Sequence, residues 1–318
     1  MGRIKGIVEE SDAKGKELQI KEVNSGVYVV EAPSLFSALK EVDRSNVQGE
    51  FYLTDIVALF HSQRRKITSF LTPYPEEIWG VNTRADLAQV QQRILERILQ
   101  GWMLSGVTIE DPKSTFIEPH VQIGRDTVIR PFSFLRGRTS IGEGCLIGPH
   151  VEIVDSKIED GVQVRFCSLV VESELGEGVT VGPFSHLRPG TCLREGVRIG
   201  NFVEVKKARI GPGTKANHLA YIGDAQVGEG VNIGAGTITC NYDGFKKHLT
   251  VIGDGAFVGS NTALVAPVTV GKGAVIGAGS VITKDVPSEA LAVGRAKQKT
   301  IKRWVIKREK KRAKRGAD

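Results

Sequence analysis

From about Ile117 onward an aliphatic residue returns every sixth position along the chain, usually with glycine behind it. Val227-Gly228 and Ile233-Gly234 begin one such run, and Val258-Gly259, Leu264, Val270-Gly271, Ile276-Gly277 and Ile282 form another. Four positions after the aliphatic residue comes a small or branched one, as at Val231, Thr237, Thr262, Val268, Ala274 and Ser280. A period of six belongs neither to a helix nor to a hairpin. It predicts short strands joined by tight turns, the aliphatic side chain inward and Gly or Asp at the corner. Three sides close one triangular coil of about eighteen residues, so Ile117 to Val293 predicts about ten coils, each rising roughly 4.8 Å.

Some sides are one residue short: Ile153 to Ile158, Val170 to Leu175, Val205 to Ile210 and Ile222 to Val227. They recur at one or two coils' distance, as expected where the same side of a stack is shortened repeatedly. Thr239 to Thr250 breaks the rhythm and predicts a loop thrown out from the column. In repeat proteins such insertions commonly build the binding face.

Ahead of the repeats, Thr83 to Met103 predicts one helix, with Thr83 as cap, Asp86 three residues on, and Leu87, Val90, Ile94, Ile98 and Leu99 as its apolar face. Residues 1–82 alternate β-like runs (Ile4–Glu9, Gly26–Glu31) with helix-like ones (Leu35–Val42, Thr54–Ser62) and carry no Gly-rich phosphate loop. This divides the chain into a partial α/β domain (1–82), a linker helix (83–105), a β-helix (106–295) and a C-terminal tail (296–318).

Composition alters this picture only at the edges. Apolar residues make up 41% and charged residues 25%, ordinary for a globular protein, and no apolar run is long enough to span a membrane. The net charge of +7 is uneven: Ala296 to Asp318 carries eleven Lys or Arg against two acids, which leaves −2 for the rest. Nucleic acid is therefore not the expected partner of the body, although the tail could meet RNA or an anionic surface. Cys145, Cys167, Cys192 and Cys240 form no CxxC pair, which argues against a zinc or redox site and predicts buried, inert thiols in a reducing cytoplasm.

One coil beyond Arg188 comes Lys206, and both follow an inward aliphatic residue, so both should point outward from one side. Stacked cations repel unless an anion lies between them, so this is either a phosphate or carboxylate site or a solvated basic face with Lys207 and Arg209. His218 stands two residues after inward Ala216, with Ala235 one coil on. It is either a surface histidine or a base able to accept a proton at neutral pH. The loop Cys240-Asn241-Tyr242-Asp243-Gly244-Phe245-Lys246-Lys247-His248 adds an aromatic, an amide and cations suited to a phosphorylated ligand.

Four stretches are more specific: Leu187-Arg188-Pro189-Gly190, Asn201 to Ala208, His218-Leu219-Ala220-Tyr221-Ile222-Gly223-Asp224, and Val231 to Gly244. They resemble the acetyltransferase half of the bifunctional N-acetylglucosamine-1-phosphate uridyltransferase / glucosamine-1-phosphate N-acetyltransferase family. The resemblance runs from about Gly2 to Arg295 and implies a mainly β, left-handed parallel β-helix, a homotrimer, and acetyl-CoA as co-substrate. It implies that His218 is the general base, that Arg188 and Lys206 hold the sugar phosphate, and that Tyr221, Asn232 and Lys247 complete the substrate pocket. Ala235, Asn241, Tyr242, Ser260, Ala278 and Arg295 would line the acetyl-CoA site. Glu9, Asn24 and Asn82 fall where the family contacts sugar nucleotide, and Asn82 where it helps hold Mg²⁺. The front half of that uridyltransferase domain has no counterpart here, including its Gly-rich loop, catalytic Arg and Lys, and metal-binding Asp. The expectation is that uridyl transfer is missing from this chain alone, or needs a separate chain supplying that half and its Mg²⁺.

Overall fold

The computed structural model describes residues 4–315, which divide within one helix into two units, 1–93 and 94–318. The second unit is a parallel β-solenoid. One face is an 11-stranded sheet with a strand from every coil, from Thr108–Ile109 to Leu291–Ala292. The other two faces merge into a 17-stranded sheet, because in places the chain turns a corner without leaving strand geometry, as in Glu204–Ile210 and Tyr221–Val227.

The hexad aliphatics become vertical columns. Ile129, Ile147, Val164, Val181, Ile199, Ala216, Ile233, Val258 and Ile276 pair in register through successive coils, and each is buried. The small residue four positions on lies at a corner, where a hydroxyl satisfies backbone that the turn leaves unpaired. Thr214 Oγ1 donates to Gly228 O at 2.7 Å, and Thr237 and Thr262 donate to Gly234 O and Gly259 O at 2.6 Å. The short sides also stack: Ile153, Val170, Leu187, Val205 and Ile222 share one column and Ile158, Leu175, Leu193, Ile210 and Val227 the next. Each short side bends at a residue with positive φ, namely Asp155, Glu172, Lys207 and Asp224, so the missing residue is taken up by a left-handed corner.

The linker helix runs Arg84–Leu104. Its N-terminus is a reciprocal capping box: Asp86 N–H donates to Thr83 Oγ1 at 3.1 Å and Thr83 N–H to Asp86 Oδ2 at 2.8 Å. Such a cap is worth about 1 kcal/mol. The packed face differs from the expected one. Leu95, Ile98, Leu99 and Trp102 meet the solenoid core, whereas Leu87 and Ile94 are exposed. The last two turns have the first coil to pack against, and the face follows that contact rather than the average periodicity.

The first unit holds Ala32–Ala38 and Asp55–Ser62 as α-helices around a small core of Ala38, Ile56 and Val57. Ile4–Glu9 and Gly26–Glu31, expected as β-like, are not strands: no strand occurs among the described residues before Thr108. A strand exists by virtue of ladder hydrogen bonds, and these segments have no neighbour to make them with. Val27 and Val29 are correspondingly exposed. The cysteine expectation also needs correction: Cys145 and Cys192 are buried, but Cys240 is half-buried and Cys167 exposed. The basic tail contains a helix, Trp304–Arg315, and no helix among the described residues is long and apolar enough to cross a membrane.

Candidate functional site

Strand register gathers the site. Leu187 pairs with Val205 and Lys206 with Gly223, so Arg188 and Lys206 occupy one position on adjacent coils. The Arg188 guanidinium makes a 2.8 Å ion pair with Glu204, which itself pairs in register with Tyr221. Lys247 arrives from the excursion between Cys240 and Thr250 beside Lys206, close enough that the neutral amine of Lys206 can accept a hydrogen bond from the Lys247 ammonium. That bond holds the Lys206 ammonium below the usual lysine range, reinforced by burial and by the charges of Lys247 and Arg188. Lys247 moves the other way, raised first by the same bond and then by Asp224 and Tyr221. Three basic side chains thus converge on two carboxylates, Glu204 and Asp224, and a cluster that crowds one lysine toward its neutral form is one that an added anion stabilises.

His218 ends the strand Lys215–His218, exposed, at the corner leading to Tyr221. Its Nδ1 lies 2.9 Å from Oδ1 of Asn201, its register partner one coil earlier. An amide oxygen only accepts, so the Nδ1 proton is donated to it and Nε2 keeps its lone pair. Gly200 permits this approach, because a Cβ there would run into the carbonyl oxygen of Asn217. Asn232 is half-buried on the same sheet, paired with Lys215 one coil after His218's strand.

The excursion is tied at both ends. Buried Asn241 donates through Nδ2 to Asp224 Oδ2 at 2.5 Å and to Tyr221 Oη at 3.4 Å. Tyr242 and Lys247 form an isolated antiparallel bridge, and the exposed Tyr242 ring donates its hydroxyl to Gly244 O at 2.6 Å. Ala235, Ser260 and Ala278 stack at one position of successive coils, each two residues beyond a paired aliphatic. Asn261 N–H donates to Ala235 O, and Gly279 N–H to Ser260 O, at 2.7 Å, while the Arg295 guanidinium donates to Ala278 O.

The residues expected for sugar nucleotide are not gathered in the same way. Glu9 accepts from Thr54 Oγ1 at 2.9 Å, Asn24 holds Tyr28 Oη at 2.6 Å and its own turn, and Asn82 N–H caps onto Asp86. Among the described residues no group of three or more His, Cys, Asp or Glu side chains could hold a metal, and the carboxylate beside Asn82, that of Asp86, is engaged in the helix cap. Sequence reading had not singled out Asn201, Glu204, Asp224, or the Asp243–His248 pair. For Asn201 a signal existed, since it precedes His218 by one short coil.

Residues 249–284 match the family model described as bacterial transferase hexapeptide (six repeats), and residues 107–215 the one described as GMPPB C-terminal domain. The bifunctional protein GlmU of Halalkalibacterium halodurans is 51% identical over 307 residues, covering 96% of this chain and 67% of that protein. GlmU of Heliobacterium modesticaldum is 51% identical over 298 residues, covering 94% and 65%. GlmU of Fervidobacterium nodosum is 52% identical over 302 residues, covering 95% and 66%. The chain spans about two thirds of the length of these relatives. Among solved structures, UDP-N-acetylglucosamine acyltransferase of Francisella novicida is 17% identical, covering 59% of this chain and 67% of that one, with a TM-score of 0.43.

Proposed function

The chain belongs to the family of the bifunctional protein GlmU, and on that premise we propose that it acetylates glucosamine 1-phosphate from acetyl-CoA, yielding N-acetylglucosamine 1-phosphate for UDP-N-acetylglucosamine synthesis. The observation that carries the proposal is one stretch of the left-handed hexapeptide column on which an oriented imidazole and a cluster of three cations occupy neighbouring coils.

In this reading the Arg188, Lys206 and Lys247 cations take the sugar phosphate, with Tyr221 and Asn232 beside the sugar. The small-residue column of Ala235, Ser260 and Ala278, with Asn241, Tyr242 and Arg295, takes acetyl-CoA. The substrate amine attacks the thioester carbonyl. His218 Nε2 removes the proton that the nitrogen must lose as the C–N bond forms, the C–S bond breaks, and the coenzyme A thiolate departs and is protonated. No covalent enzyme intermediate is required, because holding amine and thioester together supplies much of the rate. The Nε2 lone pair of the neutral imidazole supplies the base. The active assembly is a cytoplasmic homotrimer in this account. We infer that uridyl transfer is missing from the chain by itself, since it carries no Gly-rich loop to cradle a nucleotide phosphate.

The substrate assignment is tested by incubating the protein with acetyl-CoA and, in parallel, glucosamine 1-phosphate, glucosamine 6-phosphate or glucosamine, with products weighed by mass spectrometry. Acetylation should favour the 1-phosphate strongly. Equal turnover of unphosphorylated glucosamine would remove the cation cluster from substrate recognition.

A further inference from the structure

The excursion from Asn241 to Leu249 has its own internal fastening, centred on a residue that needs no contact with either substrate. Asp243 Oδ1 accepts the N–H groups of Phe245 and Lys246, both at 2.8 Å. Its other oxygen, Oδ2, lies 2.6 Å from His248 Nε2. His248 N–H donates to Asn241 O at 2.8 Å, and Asp243 N–H to Lys246 O at 3.3 Å. One carboxylate therefore closes the loop of residues 243–246, from the Tyr242 side to the Lys247 side. The accumulation of donors holds its pKa well below the usual carboxylate range, first through Lys246 N–H, then His248 and Phe245 N–H. Besides the carboxylate, the hairpin is held by the Tyr242–Lys247 bridge that those two backbone bonds form and by the Tyr242 hydroxyl on Gly244 O. A two-stranded ribbon this short has little stability of its own in water.

We propose that Asp243, with His248, is a positioning pair that holds Tyr242 and Lys247 side by side across the hairpin, so that one carboxylate places an acetyl-donor contact and a phosphate contact together. This rests on the assignment of Lys247 to phosphate and of Asn241 and Tyr242 to acetyl-CoA. The arrangement has a physical consequence. Loosening the hairpin releases Lys247 from Lys206 and Tyr242 from its bridge at once, while Asn201 and His218 stay on coils that the hairpin does not build. Substrate affinities should change as a pair and the chemical step should not.

Steady-state kinetics of Asp243→Ala, Asp243→Asn and wild type tests this, with calorimetric titration of glucosamine 1-phosphate and of coenzyme A onto each. Loss of a contact to a charged group predicts that Asp243→Ala raises KM for both substrates by about tenfold or more, with kcat within about twofold. Asp243→Asn keeps the Oδ1 turn and should recover much of that loss. A merely structural role would instead lower kcat through a smaller active fraction and leave both KM values alone, which would overturn the proposal. So would a rise in KM for one substrate only. If wild type binds both ligands without turnover while Asp243→Ala binds both weakly, the positioning role stands and the catalytic reading falls. If Asp243→Ala binds and turns over like wild type, the positioning role falls and the catalytic reading stands.

Discussion

The Nδ1 of His218 lies 2.9 Å from Oδ1 of Asn201, the residue paired with it one coil earlier in the sheet. The contact fixes which ring nitrogen carries the proton, and with it which nitrogen can act as a base. Asn201→Ala frees the ring and should lower kcat by about tenfold, less than the roughly 10²-fold or greater loss expected from removing the base itself. Asn201→Asp should do something different. A carboxylate beside the ring stabilises imidazolium and raises its pKa, so the acidic limb of the kcat–pH profile should move to higher pH. An unmoved limb would detach Asn201 from the base.

Gly200 carries no functional group, yet the site depends on it. Any side chain there meets the Asn217 carbonyl, and relief requires the two coils to part at the Asn201–His218 pair. Gly200→Ala should lower the melting temperature, at a cost of about 1–3 kcal/mol, and reduce kcat as well. Thermal unfolding followed alongside turnover checks both effects.

The cation cluster predicts proton uptake on binding. Lys206 is held below the usual lysine range, so between its lowered pKa and that range part of the free protein lacks the proton. The sign follows from linkage: a phosphate beside Lys206 stabilises the ammonium and lifts the pKa back, so binding glucosamine 1-phosphate should take up protons on the alkaline side. Calorimetry in buffers of differing ionisation heat measures this directly. Lys206→Met should abolish the uptake and raise KM for the sugar phosphate.

Thiol labelling should follow burial. Burial also pushes the Cys145 thiol above its ordinary pKa, and the thiolate is the reactive form. Cys167, exposed at its corner, should alkylate first, while Cys145 and Cys192 wait for unfolding. Peptide mapping after brief alkylation gives the order.

The solenoid was legible because its code is local and repeated. Each hexad places one aliphatic inward, and the one-residue deletions recur at the same side, so Arg188 and Lys206 could be stacked from numbering alone. The capping box of Thr83 and Asp86 was legible for the same reason. What the chain did not disclose depends on partners distant in sequence. Ile4–Glu9 has strand-like composition but no neighbour to pair with. Ile94 keeps helical periodicity yet lies beside nothing, and Leu95 is packed instead. The excursion showed as a break in rhythm, while its fastening by Asp243 required knowing that His248 folds back upon it.

The central claim is that His218 is the base for acetyl transfer to an amino sugar phosphate. Release of free thiol from acetyl-CoA, with glucosamine 1-phosphate as acceptor, tests it most directly when wild type and His218→Ala are compared across pH. Wild type should turn over with an acidic limb that reports protonation of the base, and His218→Ala should lose about 10²–10⁴-fold in kcat with that limb gone. Equal rates in the two proteins, or a limb that survives the substitution, would contradict the account.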